Sequence, residues 1–312
     1  MSKLALVVLL STACCGGQAT PPWSKGANDP AAAKGFVFHV DEVDNIPDMH
    51  GNPQDAKLVL FIGGNQFFVL PRLIAGFEKQ HPELAGVIFY ETLPPGILRK
   101  QIEQNNTITL GNLTLHVIPD VYEAGARVLD EMQKQGAVDQ VARYATNNLE
   151  IMVAAGNPKH IRSLEDLAAP AVRLSMPNAQ TEGVARQVQD SLRKAGGDTL
   201  VRQAYEEKVK SGNTFLTQIH HRQTPMRILQ DKSDAGVVWA SEVRFQQKIG
   251  NAITGISIPE SQNTTAIYAA GVMKNAAHRS AALAWVAYLQ SPEAQAAYAE
   301  FGFKPYIAPT EQ

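Results

Sequence analysis

Only two cysteines occur in the 312 residues, and they are neighbours, Cys14 and Cys15. No disulfide can therefore join distant parts of the chain, and no thiolate set is available for a structural zinc site. Neither charge is in surplus: 28 Lys and Arg face 30 Asp and Glu, a net charge of −2. So balanced a chain has no sign of a nucleic-acid surface or a polybasic membrane patch, and any recognition by charge has to be local. The apolar run Leu4 to Leu10 is too short to span a bilayer. Motifs of dedicated chemistry are also missing: there is no HExxH, no GxSxG nucleophile elbow and no GxxxxGK[ST] phosphate loop.

What is present is a chain with 45% apolar and 19% charged residues, long enough for two packed lobes or one large domain. The start, MSKLALVVLLSTACCGGQA, runs from a lysine through an apolar stretch to small residues, the order of a secretory signal peptide over residues 1–19. Two processing points are compatible with it: cleavage after Gly17-Gln18-Ala19, or lipid anchoring at Cys14. Residues 20–56, rich in Pro, Ala, Gly, Asn and Asp, read as a linker and N-terminal extension with one strand in Phe36 to Val40.

Beyond the extension, strand-like and helix-like segments alternate: LVLFIG then FFVLPRLIAGFEKQ, GVIFYE then PPGILRKQIEQ, LTLHVIP then YEAGARVLDEMQKQ. This is the pattern of α/β units around a mostly parallel sheet. A second set follows, with LEIMVAAG, SLEDLA, VRLSMP, the long helix TEGVARQVQDSLRKAGG and AGVVWA. Val184, Val188 and Leu192 recur at helical spacing, and Gly196-Gly197 supply a stop. Pro71 fits a helix only in its first turn, which moves that start from Asn65 toward Leu70.

Four junctions join a strand to a polar loop and a helix start: Gly63 to Gln66, Glu91 to Gly96, Pro177 to Glu182, and His220 to Pro225. Such loops gather where ligands of open α/β sheets bind, and helix starts there favour anions. Asn65, Gln66, Glu91, Thr92, Asn178, Thr181, His220, His221, Arg222 and Thr224 are the candidate ligand-binding residues. Thr224-Pro225 reads as an N-cap followed by proline at the first helical position. Adjacent His220 and His221 point about 100° apart on a helix or roughly opposite ways on a strand, so they do not chelate one ion. A cation site assembled from Glu91, Glu182 and one histidine stays open, as does an ion pair on Arg222 in place of a bound oxyanion. Glu91 and Glu182 either lie exposed at helix starts or face the cleft. Tyr90, Tyr122 and Trp239 line that cleft or belong to the core.

The order of these segments resembles periplasmic substrate-binding proteins of ABC transporters, in particular the molybdate- and tungstate-binding group. The resemblance rests on FIGGNQFFVLPRLIAGFEKQHP, FYETLPPGILRKQIE, NLEIMVAAGNPKHIRSLEDLA, VRLSMPNAQTEGVARQ, DAGVVWASEV and AWVAYLQSPEAQAAYAEFGF, roughly Lys57 to Pro305 in one order. It implies an α/β two-lobe type II periplasmic-binding-protein fold with a hinged interlobe cleft, lobe 1 holding residues 57–147 plus 260–312 and lobe 2 residues 148–259. It also implies capture of a small oxyanionic ligand, delivery to an ABC permease, a monomer, no cofactor and no catalysis. The family's ligand loops fall on Asn65 and Gln66, Thr92, Thr181 and the stretch around His221 and Arg222. Where its first two loops carry serines, this chain has Asn-Gln and Glu-Thr-Leu-Pro-Pro. The alternatives are a periplasmic sensor or accessory protein for a metal or oxyanion, and a metal-dependent periplasmic enzyme using His220 or His221 with a glutamate.

Overall fold

The computed structural model describes residues 38–39, 47–110, 113–218, 220 and 222–308. The signal-peptide segment, most of the extension and His221 lie outside the described residues. In chain order the strands are β1 Phe38–His39, β2 Pro47–His50, β3 Leu58–Ile62, β4 Ile88–Glu91, β5 Thr107–Leu110, β6 Leu113–His116, β7 Val121–Gly125 and β8 Val138–Asn147. They continue with β9 Leu149–Ala154, β10 Leu174–Met176, β11 Thr214–Leu216, β12 Ala235–Trp239, β13 Ile253–Ser257, β14 Ala266–Met273 and β15 Lys304–Pro305. The main helices are α1 Leu70–Gln80, α2 Pro95–Glu103, α3 Ala126–Lys134, α4 Val184–Arg202, α5 Gln223–Leu229, α6 Ala240–Lys248, α7 Arg279–Tyr288 and α8 Pro292–Glu300.

Two mixed sheets carry the fold in place of the mostly parallel one expected, because β2, β14, β15, β9 and β13 all pair antiparallel with their neighbours. The first has the order β1-β2-β4-β3-β7-β14-β8-β15, the second β11-β10-β12-β9-β13, and β5 and β6 form a separate hairpin. β3 lies parallel to both β4 and β7, and β10 lies parallel to β11 and β12. All five residues of β3 are buried because both faces of its sheet are covered. Leu58, Leu60 and Ile62 point into a cluster with Leu73, Phe77 and Trp285. Val59 and Phe61 point into the opposite cluster with Phe89, Leu98 and Tyr122. Burial of these side chains contributes roughly 1.5–3 kcal/mol each relative to exposure.

Several sequence expectations hold in detail. α1 starts at Leu70 with Pro71 in its first turn, where the missing N–H costs nothing. Gly196 and Gly197 leave helical geometry, Gly197 at φ 68°, and so break α4 where the stop was expected, although helix resumes through Arg202. The extension needs correction. Of its expected strand the described part is Phe38–His39, and a second strand, β2, pairs antiparallel with β4 through Met49 opposite Glu91. Residues 47–50 are thus part of the first sheet and not linker.

The chain passes between the sheets twice, at Asn148 and over residues 258–265. Asn263 ties the two passages together: its Oδ1 accepts from the Leu149 N–H at 3.1 Å and its Nδ2 donates to the Leu149 carbonyl at 2.9 Å. This side chain imitates a strand partner at the point where regular pairing changes sheets.

Candidate ligand cleft

Between the sheets lies a cavity of about 100 Å³. On one side it is walled by Gly64 and Asn65, by Pro94 and Pro95 at the start of α2, and by Gly125 and Val128; on the other by Glu182, Gly183 and the first turn of α4. Trp239 and Tyr268 close it, with ring centroids 6.1 Å apart and an interplanar angle of 63°. The α4 start has no side-chain cap and no acidic residue in its first turn, and Gly183 and Val184 line this space at the positive end of the helix dipole. The N–H groups of Ala185 and Arg186 donate to the carbonyls of Glu182 and Gly183 at 3.2 and 3.3 Å. Gln187, also in the wall, has a buried Oε1 with no hydrogen-bond partner among the described residues. An unpaired buried acceptor costs about 1–3 kcal/mol, and a solute group that donates, such as the hydroxyl of a protonated oxyanion, can recover it.

Asn65 reaches the cavity from the short turn Gly64–Gln66, and its Nδ2 donates to the Tyr268 hydroxyl at 2.6 Å. Gly64 has to be glycine: a Cβ there would stand 2.5 Å from the Thr92 carbonyl oxygen and 2.9 Å from both Arg222 Nη2 and His220 Cε1. This close approach lets His220 and Arg222, which follow β11, reach the loops of the first sheet.

At that corner Arg222 donates through Nη2 to the carbonyl oxygens of Gly64 and Thr92, each at 2.7 Å, and through Nη1 to Asp48 Oδ1 at 3.1 Å. His220 Nε2 lies 3.1 Å from Asp48 Oδ1. The Arg222 guanidinium also covers the Phe67 ring, 4.5 Å from its centroid. Burial by itself would raise the pKa of Asp48, but the charges and hydrogen bonds of His220 and Arg222 outweigh it and hold the carboxyl below its ordinary value. The ion pair that the sequence left open for Arg222 therefore exists, with a partner from the extension.

The other sequence candidates separate by direction. Gln66 is fully buried and turned away from the cavity, its Oε1 3.1 Å from the Tyr144 hydroxyl and 2.8 Å from that of Tyr298. Glu91 is neither exposed nor in the cavity wall: it lies beneath α2, where Gln101 Nε2 donates to its Oε1 at 3.2 Å. Burial pushes its pKa up to about 8. Thr92 is buried and its N–H donates to the Asp48 carbonyl at 2.8 Å. Asn178 shapes its own turn, its Oδ1 accepting from Gln180 N at 3.0 Å. Thr181 carries a buried Oγ1 with no partner among the described residues, and its carbonyl would sit 3.0 Å from a Cβ on Gly96.

Thr224 does not cap α5. The helix begins at Gln223, and the Thr224 hydroxyl lies inside, 2.9 Å from that of Ser175. Glu182 accepts from the Thr217 hydroxyl and from the Asn178 N–H. No cluster of three His, Cys, Asp or Glu side chains suited to a metal exists among the described residues, so Glu91, Glu182 and His220 do not converge. Tyr122 donates to the Pro95 carbonyl at 2.7 Å and Tyr90 stacks on His50, leaving Trp239 as the expected aromatic that reaches the cavity. Sequence reasoning missed Asp48, Arg186, Gln187 and Tyr268.

The sequence pattern of the bacterial extracellular solute-binding protein family matches residues 58–304. The chain belongs to that family. Among curated relatives, the molybdate-binding protein ModA of Mycobacterium tuberculosis is 25% identical over 195 residues, 61% of this chain and 67% of its own. Among solved structures, the sulfate-binding protein SubI of Mycobacterium tuberculosis matches with a TM-score of 0.66 at 17% identity, covering 81% of this chain and 87% of that one. The periplasmic molybdate-binding protein of Azotobacter vinelandii gives 0.63 at 16% identity, covering 81% and 100%. The fold of this solute-binding protein is the type II periplasmic one, with the cavity between its two sheets. No helix among the described residues is long and apolar enough to cross a membrane.

Proposed function

We propose that this solute-binding protein is exported, captures a small solute bearing an oxyanion between two lobes, and presents it to an ABC permease as a monomer without catalysing a reaction. The lobes are residues 57–147 plus 260–312 and residues 148–259. Residues 1–19 act as a signal peptide, cleaved or lipid-anchored at Cys14. The observation that carries the reading is the cavity itself: a space of about 100 Å³ walled by loops of the first sheet and by the uncapped start of α4, with Arg186 and the Gln187 amide in its wall. Asn65, Arg186 and Gln187 are the side chains we place on the solute, with Thr181 at the rim and His220 lining the cavity while its Nε2 stays with Asp48. Gln66, Glu91 and Thr224 act behind them. Closure follows if the solute touches both lobes only in the closed state.

A thermal-shift screen over molybdate, tungstate, sulfate, phosphate, small carboxylates, phosphorylated carboxylates and divalent metals tests the reading. A solute at a hundred times its dissociation constant adds about 2.7 kcal/mol. An oxyanion that raises the melting temperature, with Gln187→Ala abolishing the rise, is the expected result. A screen in which only divalent metals act, or none of the compounds does, overturns the proposal.

A further inference from the structure

Asp48 lies ten residues before the family-matched region, which begins at residue 58. It is nevertheless 1% exposed and sits at the cleft corner, 172 residues in sequence from His220 and 174 from Arg222. Its backbone is fixed as well, because β2 pairs with β4 and the Asp48 carbonyl accepts from Thr92 N at 2.8 Å. The carboxylate is thus delivered on a strand to two donors that follow β11 of the second sheet, Arg222 Nη1 and His220 Nε2, with the Thr92 hydroxyl at 3.4 Å. Its backbone hydrogen bonds hold this geometry in place before any solute arrives.

We infer that Asp48 is a built-in anion: its carboxylate fills the Arg222 and His220 donor set and thereby confines the solute to the neighbouring cavity. The filling of the donor set stands on geometry alone; the confinement of the solute rests on the proposed function. In this arrangement Arg222 is a positioning residue. It binds Asp48 and the carbonyls of Gly64 and Thr92, and so sets the shape of the loop that offers Asn65.

The test uses the full chain and no solute. Asp48→Ala leaves a carboxylate-sized space beside a buried guanidinium, and its melting temperature should fall by about 5–10 °C. Sodium formate, compared with sodium chloride at equal ionic strength, should raise the melting temperature of Asp48→Ala by several degrees more than that of the wild type. Formate without effect on the variant, or a variant that melts like the wild type, overturns the inference. Should Asp48→Ala not fold, Asp48→Asn, Arg222→Gln and the double variant form a cycle. The double variant is expected to lose clearly less than the sum of the single losses, and additive losses overturn the inference. Because the readout is the difference between variant and wild type in the same formate, any binding of formate in the cavity shifts both alike, and failure of the solute reading leaves the outcome untouched.

Discussion

Glu91 and Glu123 lie near the carboxyl ends of β4 and β7, the two strands that flank β3, and both are fully buried. Their surroundings differ. Glu123 accepts from Trp285 Nε1 at 2.7 Å and from the Tyr144 hydroxyl at 2.8 Å, one donor arriving on α7 and one on β8. Glu91 accepts from Gln101 at 3.2 Å, while its Oε2 meets no partner among the described residues. Burial raises both pKa values, Glu123 to about 7 against its hydrogen bonds and Glu91 to about 8 with the Asp48 charge adding to the rise. Equivalent strand ends therefore hold an anchored carboxyl on one side and a poorly solvated one on the other. Glu123 joins distant segments of the first unit, whereas Glu91 weakens its own neighbourhood whenever it is ionised.

The largest effect should come from Glu123→Ala, which strands the Trp285 and Tyr144 donors and opens a cavity. A loss of about 3–5 kcal/mol in urea unfolding is expected. A loss below about 1 kcal/mol would mean that Glu123 does not anchor α7, and the contrast with Glu91 would collapse.

Next in size is the pH response of Glu91→Gln. Both glutamates hold their protons in the folded state at pH values where the unfolded chain has lost them. Stability therefore falls as pH rises from the ordinary carboxylate range near 4.5 through about 7 for Glu123 and about 8 for Glu91. Glutamine keeps the neutral shape and removes one of these two contributions. The variant should match wild type at pH 5 and exceed it above pH 8, by on the order of 2–4 kcal/mol. Parallel stability curves across that range would place Glu91 in a far better solvated site than its burial implies.

Much of this organisation is readable from residue order alone. The alternation of LVLFIG-type strands with amphipathic helices fixes an α/β architecture, Pro71 locates the start of α1, and Gly196-Gly197 mark the break in α4. Glu91, expected exposed or in the cleft, is neither; the overlooked signal is its place two positions after Phe89, on the face of β4 packed beneath α2. Gln66 and Thr224 carry no such signal, because at a helix start a rotation of one residue turns a side chain by about 100°, from cleft to core. Asp48 was the least accessible. Nothing local in Pro47–His50 announces a strand, and its partners are brought to it by the packing of two separate sheets. The cavity's Tyr268 sits on β14, in a run read simply as a strand.

The smallest effect, and the sharpest test of the contrast, belongs to Gln101→Leu. The amide gives Glu91 one long hydrogen bond, but its own Oε1 is buried without a partner among the described residues. Leucine removes that unsatisfied acceptor together with the donor and keeps a similar apolar volume below α2. At pH 5, where Glu91 is protonated, loss and gain should offset to within about 0.5 kcal/mol. At pH 9 the ionised carboxylate would be deprived of the Gln101 donor, and the variant should fall about 1–3 kcal/mol below wild type. A pH-independent loss would instead assign Gln101 a packing role, and Glu91 would then resemble Glu123 in being held by groups other than the amide beside it.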